Sequence, residues 1–579
     1  MSSDERRPYL SATILDQAFL NDCRDNLETK IEMIVDIETP TGFIRASDRP
    51  KYVGSVYYDN RLIFPTINRT VGEWLAPLLQ FSVLKLELNN ADGEYDQFLP
   101  GGPNYDGFIG RTVRVKIGLR DIESTYRTIF SGRISDVGGF SRTVKSIIIS
   151  SRDDYEKLDV EFPVTSLTVA SFPDIGERSA GVVLPVIYGD WTVSGNPQTN
   201  QASVPGFVVN DQDPNVNGGP DDIIPRTVDV HVYISANVNR SFDTDGVYLK
   251  RGDTFSKFNL ADINSVVDNR HFKIEQDAVT TVFDEDGALI PYKYTSGDEF
   301  FVLVQGQAIA PGFHENIVSQ AQNILLTYTD AVLGDFETTS WNFYASKPAA
   351  PNNIFTIKSR VWIQDPQSAI QYALSLLEQV RVEAFINEEL KIELTSLHFD
   401  DWNDSPSYTI DNFDVVEGTF GPELDIRNNF NRARAVFAFL PDIKDNSQTT
   451  STFKNTGAIT QMGRDITQQV VFPNLYQSAD VVNQLKEILK ISSSGFENIK
   501  CDLTWRSMLL DIGDFVSLNV QIGSTVFEKV PCLIREIGYN ADGIRIPVRL
   551  WSTQLIPFGT YLGVPNSVGG ESVTIDEET

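Results

Sequence analysis

Along most of this chain, apolar and polar residues alternate with a period near two. Ile31, Met33, Val35 and Ile37 alternate with Glu32, Ile34, Asp36 and Glu38, as in a strand that buries one face. The same pattern predicts strands at 52–58, 61–64, 82–88, 112–119, 126–135 and 144–150. Turn formers such as Asn89-Asn90-Ala91-Asp92-Gly93 and Val137-Gly138-Gly139 separate them. Many short strands with regular turn signals point to a sandwich or barrel. A second set near the other end, at 432–439, 499–505, 515–520, 529–539 and 544–551, predicts a small antiparallel barrel. The two sets share a plan, a glycine-containing turn followed by an alternating strand. Gly110-Arg111-Thr112-Val113-Arg114-Val115 sets beside Gly513-Asp514-Phe515-Val516-Ser517-Leu518.

Elsewhere the period changes to that of a helix. Over 366–380, Ile370, Ala373, Leu374, Leu377 and Val380 form one apolar stripe, with Asp365 read as N-cap and Pro366 at the first helical position. After Ser478, read as another N-cap, Val481, Val482, Leu485, Ile488 and Leu489 share a face, and Asp480 suits the positive helix start. Within 1–29, Ile14, Leu15, Ala18 and Phe19 fall near helical spacing after Ser11. Between the two β sets the signals thin out. Residues 160–225 hold one short apolar run, Leu184 to Asp190, and a long loop from Asn196 to Asp222 rich in Asn, Gly, Pro and Asp. Strands resume at 228–234, 247–249, 271–274, 279–283 and 300–304, an inserted β module, while 317–327 reads as helix or strand. Short strands at 381–386 and 390–394 follow the first helix; 399–410 and 442–455 read as polar loops.

Length then sets the domain count. A chain of 579 residues exceeds one hydrophobic core, so three to five domains are expected. With 41% hydrophobic and 11% aromatic residues it fills real cores and is no disordered chain. No apolar run approaches the roughly 18 residues of a membrane span. No apolar stretch follows Met1-Ser2-Ser3-Asp4-Glu5-Arg6-Arg7, so no signal peptide is expected, and synthesis in a cytoplasm is. The formal charge of −31, from 48 Lys+Arg against 79 Asp+Glu, repels nucleic acid and argues against tight DNA or RNA binding. Two readings of that acidity stay open: solubility alone, or the wall of a conduit past which DNA slides.

Motifs that carry chemistry are scarce in the chain. His231, His271, His314 and His398 share no ligand spacing and read as ordinary strand or loop residues. Cys501 and Cys532 lie in apolar strands and read as small core residues, and Cys23 as a free thiol; three such cysteines make neither a disulfide framework nor a metal cluster. There is no Gly-x-Ser-x-Gly elbow, Walker loop or His-Glu-x-x-His. Acid groups such as Asp284, Glu285 and Asp286, or Asp400 and Asp401, read as solvated loops, although a glycosidase needs two acids across a cleft. The loop Asn210 to Gly218 alternates oxygen ligands as a calcium loop does, yet lacks the glycine at its sixth position and the closing glutamate; it reads as a loop rich in Asx turns. Arg251-Gly252-Asp253 reads as a turn, with adhesion the rival reading. Tyr52, Tyr57, Tyr58 and Phe64 suit core or interface, with sugar stacking the rival. No catalytic, cofactor-binding or metal-ligating residue is expected, and the chain is not expected to be an enzyme.

Four segments, taken in order, carry a family resemblance: Leu86-Glu87-Leu88-Asn89-Asn90-Ala91-Asp92-Gly93, Gly110 to Val115, Phe130-Ser131-Gly132-Arg133-Ile134, and Ser151-Arg152-Asp153-Asp154-Tyr155-Glu156-Lys157-Leu158. They resemble the first barrel of phage tail hub and baseplate hub proteins. The order downstream also resembles that family: the 366–380 helix, the strands at 381–394, Gly463-Arg464, a helix, and the Ile512-Gly513-Asp514 turn. The resemblance spans roughly 30–160 and 360–555. It implies a mainly β, multidomain fold with two tube-like antiparallel barrels, each with a packed helix; the inserted β module within 190–345 departs from the family's compact pattern and reads as an added decoration or docking site. The expected layout is an N-terminal helix and first barrel at 1–165, linker and loops at 166–224, the module at 225–345, a small α/β hub subdomain at 346–418, the second barrel at 419–558 and an acidic tail at 559–579, expected to be disordered over Gly569 to Thr579. It implies a virion structural protein of the tail tip, a homotrimer whose barrels make a pseudo-hexameric ring. Its implied partners are the tail tube, distal tail, tape measure and fibre or spike proteins. Two rivals stay open. One is a tail-associated carbohydrate-binding or glycan-hydrolysing protein with its site in 190–345, and the other is a secretion-system spike hub.

Overall fold

The computed structural model describes residues 31–70, 83–119, 126–138, 146–152, 157–192, 203–210, 230–252, 254–258, 263–265, 269–274, 281–283, 288–292, 294–295, 297–307, 315–346, 356–387, 391–397, 408–425, 430–441, 444–494, 496–507, 510–522, 525–539, 545–552 and 575–577. The helix expected within 1–29 lies outside them.

The first β unit contains β1 (Ile31–Thr39), β2 (Gly42–Ser47), β3 (Lys51–Val53), β4 (Val56–Asn60), β5 (Leu62–Thr70), β6 (Val83–Asn89), β7 (Thr112–Leu119), β8 (Arg127–Gly138) and β9 (Ser146–Arg152). Its alternation is the one read from sequence. Met33, Val35 and Ile37, then Leu84, Leu86 and Leu88, then Val113 and Val115 are all buried on one face. Each such side chain contributes about 1.5–3 kcal/mol relative to exposure. A single helical turn, α1 (Tyr105–Phe108), plugs the unit with buried Phe108, whose ring lies 4.5 Å from that of Phe98.

The module is a seven-stranded sheet, in spatial order Thr254–Lys257, Ser241–Arg251, Glu299–Gln305, Val204–Val208, Val230–Tyr233, His271–Ile274 and Ile263–Ser265. Val204–Val208 corrects the loop expected over 196–222. Its two valines are buried, but Pro205 and Gly206 between them hide the alternation.

A middle layer joins the module to the ends. It holds α2 (Ile317–Tyr328), α3 (Thr338–Ser346), α4 (Ala369–Gln379) and the two-stranded hairpin of β10 (Val382–Ile386) and β11 (Ile392–Ser396). The segment at 317–327, open between helix and strand, is helix. α4 starts later than expected, and its cap is Ser368, whose Oγ accepts from the Gln371 N–H at 3.5 Å. Gln367 and Ser368 are still extended there, paired with Phe162 and Glu161, so Asp365 lies outside the helix.

The second β unit contains β12 (Tyr408–Asp411), β13 (Gly421–Asp425), β15 (Phe496–Thr504), β16 (Phe515–Ile522), β17 (Thr525–Tyr539) and β18 (Arg545–Ser552). Two intervening elements, β14 (Arg432–Leu440) and α5 (Ser478–Ser494), belong elsewhere. β14 corrects the expected barrel strand. It is in a separate five-stranded sheet with Asp445–Thr449, Phe453–Lys454, Thr467–Phe472 and Asp576–Glu577. Two further corrections follow. The loops expected at 399–410 and 442–455 contain strands, because Asp445–Thr449 is solvated on both faces and shows no alternation to read. Of the tail expected to be disordered, only 575–577 are described, and there Glu577 pairs with Phe453.

The two expected barrels are parts of one sheet of 15 strands. Its order is β13-β15-β18-β17-β5-β6-β9-β8-β7-β1-β2-β4-β3, with β16 on β17 and β12 parallel on β16. One apolar core, including Leu84, Val115, Ile149, Ile499, Leu518 and Val548, serves both units. The helix stripes do not lie each across its own barrel. Ile370, Ala373, Leu374 and Leu377 of α4 and Val481, Leu485, Ile488 and Leu489 of α5 share a second core with α2, β10, β11 and β14. α5 also reaches the second unit through Ile491, packed with Phe515, Leu533 and Trp551.

Candidate assembly interface

The junction of the two units is a strand pairing. β17 meets β5 in the register Glu536↔Thr70, Ile537↔Arg69, Gly538↔Asn68 and Tyr539↔Ile67. The approach is close at Gly538. A Cβ there would sit 3.0 Å from Asn68 Oδ1 and 3.1 Å from Pro547 Cγ. Arg69, buried in this contact, pairs with the Asp511 carboxylate and donates from Nη2 to the Ile386 carbonyl at 2.9 Å. Arg127 Nη2 donates to the Leu510 carbonyl at 3.3 Å. A buried pair of this kind holds its place because either partner alone is a costly uncompensated charge. The turn that carries Asp511 is itself fixed. Asp514, also buried, accepts the Asp511 N–H at 2.7 Å. The β10–β11 hairpin closes over it, with Thr395 Oγ1 donating to the Gly513 carbonyl at 3.2 Å.

The two units repeat one another in detail. Gly110 donates its N–H to the Ile134 carbonyl at 2.8 Å, and Ile134 donates back to the Arg111 carbonyl at 2.9 Å. Gly513 donates to the Ile534 carbonyl at 2.8 Å, and Ile534 donates back to the Asp514 carbonyl at 2.9 Å. Both glycines are left-handed, at φ +80° and +79°, a region that favours glycine. The registers slip at matching places. β7 and β8 slip after Val115, and β16 and β17 after Leu518. β8 and β9 slip after Ile134, and β17 and β18 after Ile534. Such bulges bend and twist a strand at a set point. Carried across three strands, Ile134–Ser151–Leu84 corresponds to Ile534–Leu550–Ile499. Buried Leu86 and Leu88 then fall on buried Cys501 and Leu503. In the sequence, the sign of this repeat was the pair of glycine turns, each followed by an alternating strand.

No family model and no curated protein matches the chain. Among solved structures it is similar to a tail protein from Neisseria meningitidis, at 10% identity over 91% of this chain and 97% of that one, with a TM-score of 0.42. It is also similar to the 43 kDa tail protein of prophage MuSo2 from Shewanella oneidensis, at 10% identity over 90% and 98%, with a TM-score of 0.35. A chain in the virion of a native gene transfer agent particle matches at 10% identity over 68% and 88%, with a TM-score of 0.37. At such identities and scores these likenesses carry no function across.

The residues singled out in the sequence are not drawn into one site. His231 and His271 are brought together, Nδ1 to Nε2 at 3.0 Å, with Tyr233 stacked on His271 at 4.6 Å. Sequence reasoning missed this contact, because a separation of 40 residues has no ligand signature. Among the described residues no group of three or more His, Cys, Asp or Glu is placed to hold a metal. His314, His398, Cys23, Asp284 to Asp286, Asp400, Asp401 and all of the 210–218 loop but Asn210 lie outside the described residues. Asn210 Oδ1 accepts the His231 backbone N–H at 2.9 Å. Arg251 is engaged within the module, where its guanidinium grips the buried Asp298 carboxylate at 2.6 and 2.9 Å; that leaves the adhesive reading without its free arginine head. Cys501 and Cys532 are buried free thiols, as read. Tyr58 is buried and donates to Asp36 Oδ1 at 2.9 Å, whereas Tyr52 and Tyr57 form an exposed ring pair 5.2 Å apart on the β3–β4 hairpin. No described helix is long and apolar enough to cross a membrane.

Proposed function

We propose that the chain is a structural protein of a phage virion, the tail-tip or baseplate hub that joins the tail tube to distal tip, fibre or spike proteins. In this reading three copies form a pseudo-hexameric ring around the DNA channel. The observation that carries it is the internal repeat, in which two units of one design are joined edge to edge in a single sheet. A chain with two such units fills two positions of a ring, and three chains fill six. A head-to-tail contact between units closes a ring when its rotation closes. The role is geometric rather than catalytic. The hub matches tube symmetry on one side and a three-fold tip on the other, and binds the tube, distal tail and tape measure proteins. The acidic balance of the chain suits a wall that DNA passes without adhering. The module sheet, inserted between the two units in sequence, is the docking platform for distal parts.

The test is the mass of the purified protein by light scattering, with negative-stain images of the same sample. A ring with a central hole near three times 64.7 kDa supports the reading. A monomer at every concentration that also fails to bind assembled tail tubes overturns it.

A further inference from the structure

Each unit of the repeat has the same two edges, and within the chain one edge from each is joined to the other. The strand following the bulge of the second unit, β17 at Glu536–Tyr539, takes β5 of the first. The corresponding pieces of the opposite kind are unjoined among the described residues. After the bulge at Ile134, β8 pairs only with β9 over Asp136–Gly138. β13, the counterpart of β5, pairs only with β15 and ends the sheet. The counterparts follow from the registers. Ile67 faces Leu84 as Pro422 faces Ile499, so Asn68, Arg69 and Thr70 correspond to Glu423, Leu424 and Asp425. Asp136, Val137 and Gly138 correspond to Glu536, Ile537 and Gly538. Glycine recurs at the position of closest approach. At Gly538 a Cβ would press on Asn68, whereas at Gly138 the only atom it would meet among the described residues is Asp136 Oδ2 at 3.9 Å. The first unit therefore keeps the clearance for an incoming strand without the strand.

We infer that Asp136–Gly138 of one copy pairs antiparallel with β13 of a second copy, in the register Asp136↔Asp425, Val137↔Leu424 and Gly138↔Glu423. The pairing repeats the β17–β5 contact between chains and deepens the hub reading, on which it rests. Main-chain hydrogen bonds along an open edge supply the attachment. Each chain offers one edge of each kind, so the contact is head to tail and propagates from copy to copy. The register sets one acid opposite another, which weakens the pairing at low ionic strength and makes assembly stronger as salt rises.

The experiment mixes two variants with one introduced cysteine each, Asp136→Cys and Asp425→Cys, both in a Cys23→Ser background that keeps only the buried Cys501 and Cys532, and oxidises them while light scattering reports the mass. The expected result is a disulfide-linked pair containing one of each variant. A mixture of Asp136→Cys with Gly421→Cys, four residues out of register, should stay unlinked. In parallel, Gly138→Val should keep the parent melting temperature, since the described residues leave the space open, and lose the assembled species at least tenfold. Assembled rings without the mixed link, equal linking out of register, or a folded Gly138→Val protein that assembles like the parent would each overturn the pairing while leaving the hub reading intact. A parent that stays monomeric and unlinked at every concentration overturns the pairing, and one that also fails to bind assembled tail tubes overturns both.

Discussion

Gly110 and Gly513 hold one backbone geometry in two different surroundings. Their φ angles are +80° and +79°, and each is clamped by a matching pair of main-chain hydrogen bonds. A Cβ at Gly110 would meet nothing among the described residues within 4 Å, while one at Gly513 would lie 2.8 Å from the Phe385 ring. The turn of the second unit thus has a further duty. It seats the β10–β11 hairpin beside Asp511, the partner of Arg69 from the first unit. The repeat is preserved in its backbone and diverges in what each copy packs against.

This difference separates two substitutions. Gly110→Ala meets only the left-handed backbone cost, about 1–2 kcal/mol. Gly513→Ala adds a collision with a ring held in a packed core, which raises the cost by a further 1–3 kcal/mol or so. Thermal melting of the two variants checks this. Equal shifts would mean that Phe385 gives way freely and does not hold the turn.

How far the sequence could be read follows from where each signal lives. Strands whose residues alternate in sequence were legible, because Met33, Val35 and Ile37 or Val516 and Leu518 carry the alternation themselves. Strands without a buried face were not, as at Asp445–Thr449, which pairs with β14 through the backbone and through Ser447 Oγ, donating to the Ala438 carbonyl at 2.9 Å. The cap of α4 was misplaced because Pro366 looks like a helix start, and nothing local reveals that Gln367 is held in a strand by Phe162. The fusion of the two units was illegible for a different reason. Arg69 and Asp511 are 442 residues apart, and no local pattern records a pairing between them. Of the proposed interface, the sequence displayed only Val137-Gly138-Gly139 and the two glycine turns. The edges became visible once the registers aligned.

Arg69 is the charged bolt of the intrachain junction, so removing it tests how the units are held. Arg69→Ala strands the Asp511 carboxylate beside the hairpin and is expected to cost about 3–5 kcal/mol. Arg69→Met with Asp511→Leu removes both charges, keeps most of the volume and should cost much less. Denaturant unfolding of the single and double variants measures the coupling. Additive losses would show that the two charges act independently.

A second ion pair gives a pH signature. Arg61 grips Asp92 through two hydrogen bonds, at 2.9 and 2.7 Å, tying the start of β5 to the turn after β6. The guanidinium holds the Asp92 carboxyl down at about 2, against 3.8 for the unperturbed group. A depressed carboxylate contributes stability that is present above the unfolded pKa and lost as pH falls through the folded one. The melting difference between the parent and Asp92→Asn should therefore be steady above about pH 5, shrink below pH 4 or so and vanish near pH 2. Asp92 is exposed, so the difference should also be small and fade in roughly 1 M salt. A difference that grows on acidification would contradict the assignment.

The thiols of the second unit report on its core. Burial, with the charge of Asp502 beside it, pushes the Cys501 thiol up to about 12, and Cys532 is fully buried next to the Val530 carbonyl. Thiolate is the reactive form, and it is scarce in such surroundings at neutral pH. In a Cys23→Ser background an aromatic disulfide reagent should label neither cysteine in the native protein and both on unfolding. Their strands, β15 and β17, flank β18 on either side, so exposing one thiol requires the central strand to part from a neighbour. The two labelling rates should accordingly be equal and follow the opening of the whole unit. A Cys501 that labels faster than Cys532 would instead mean that β13 and β15 peel away first. That would leave the outer edge of the second unit too labile to serve as a ring contact unless a second copy is already bound to it.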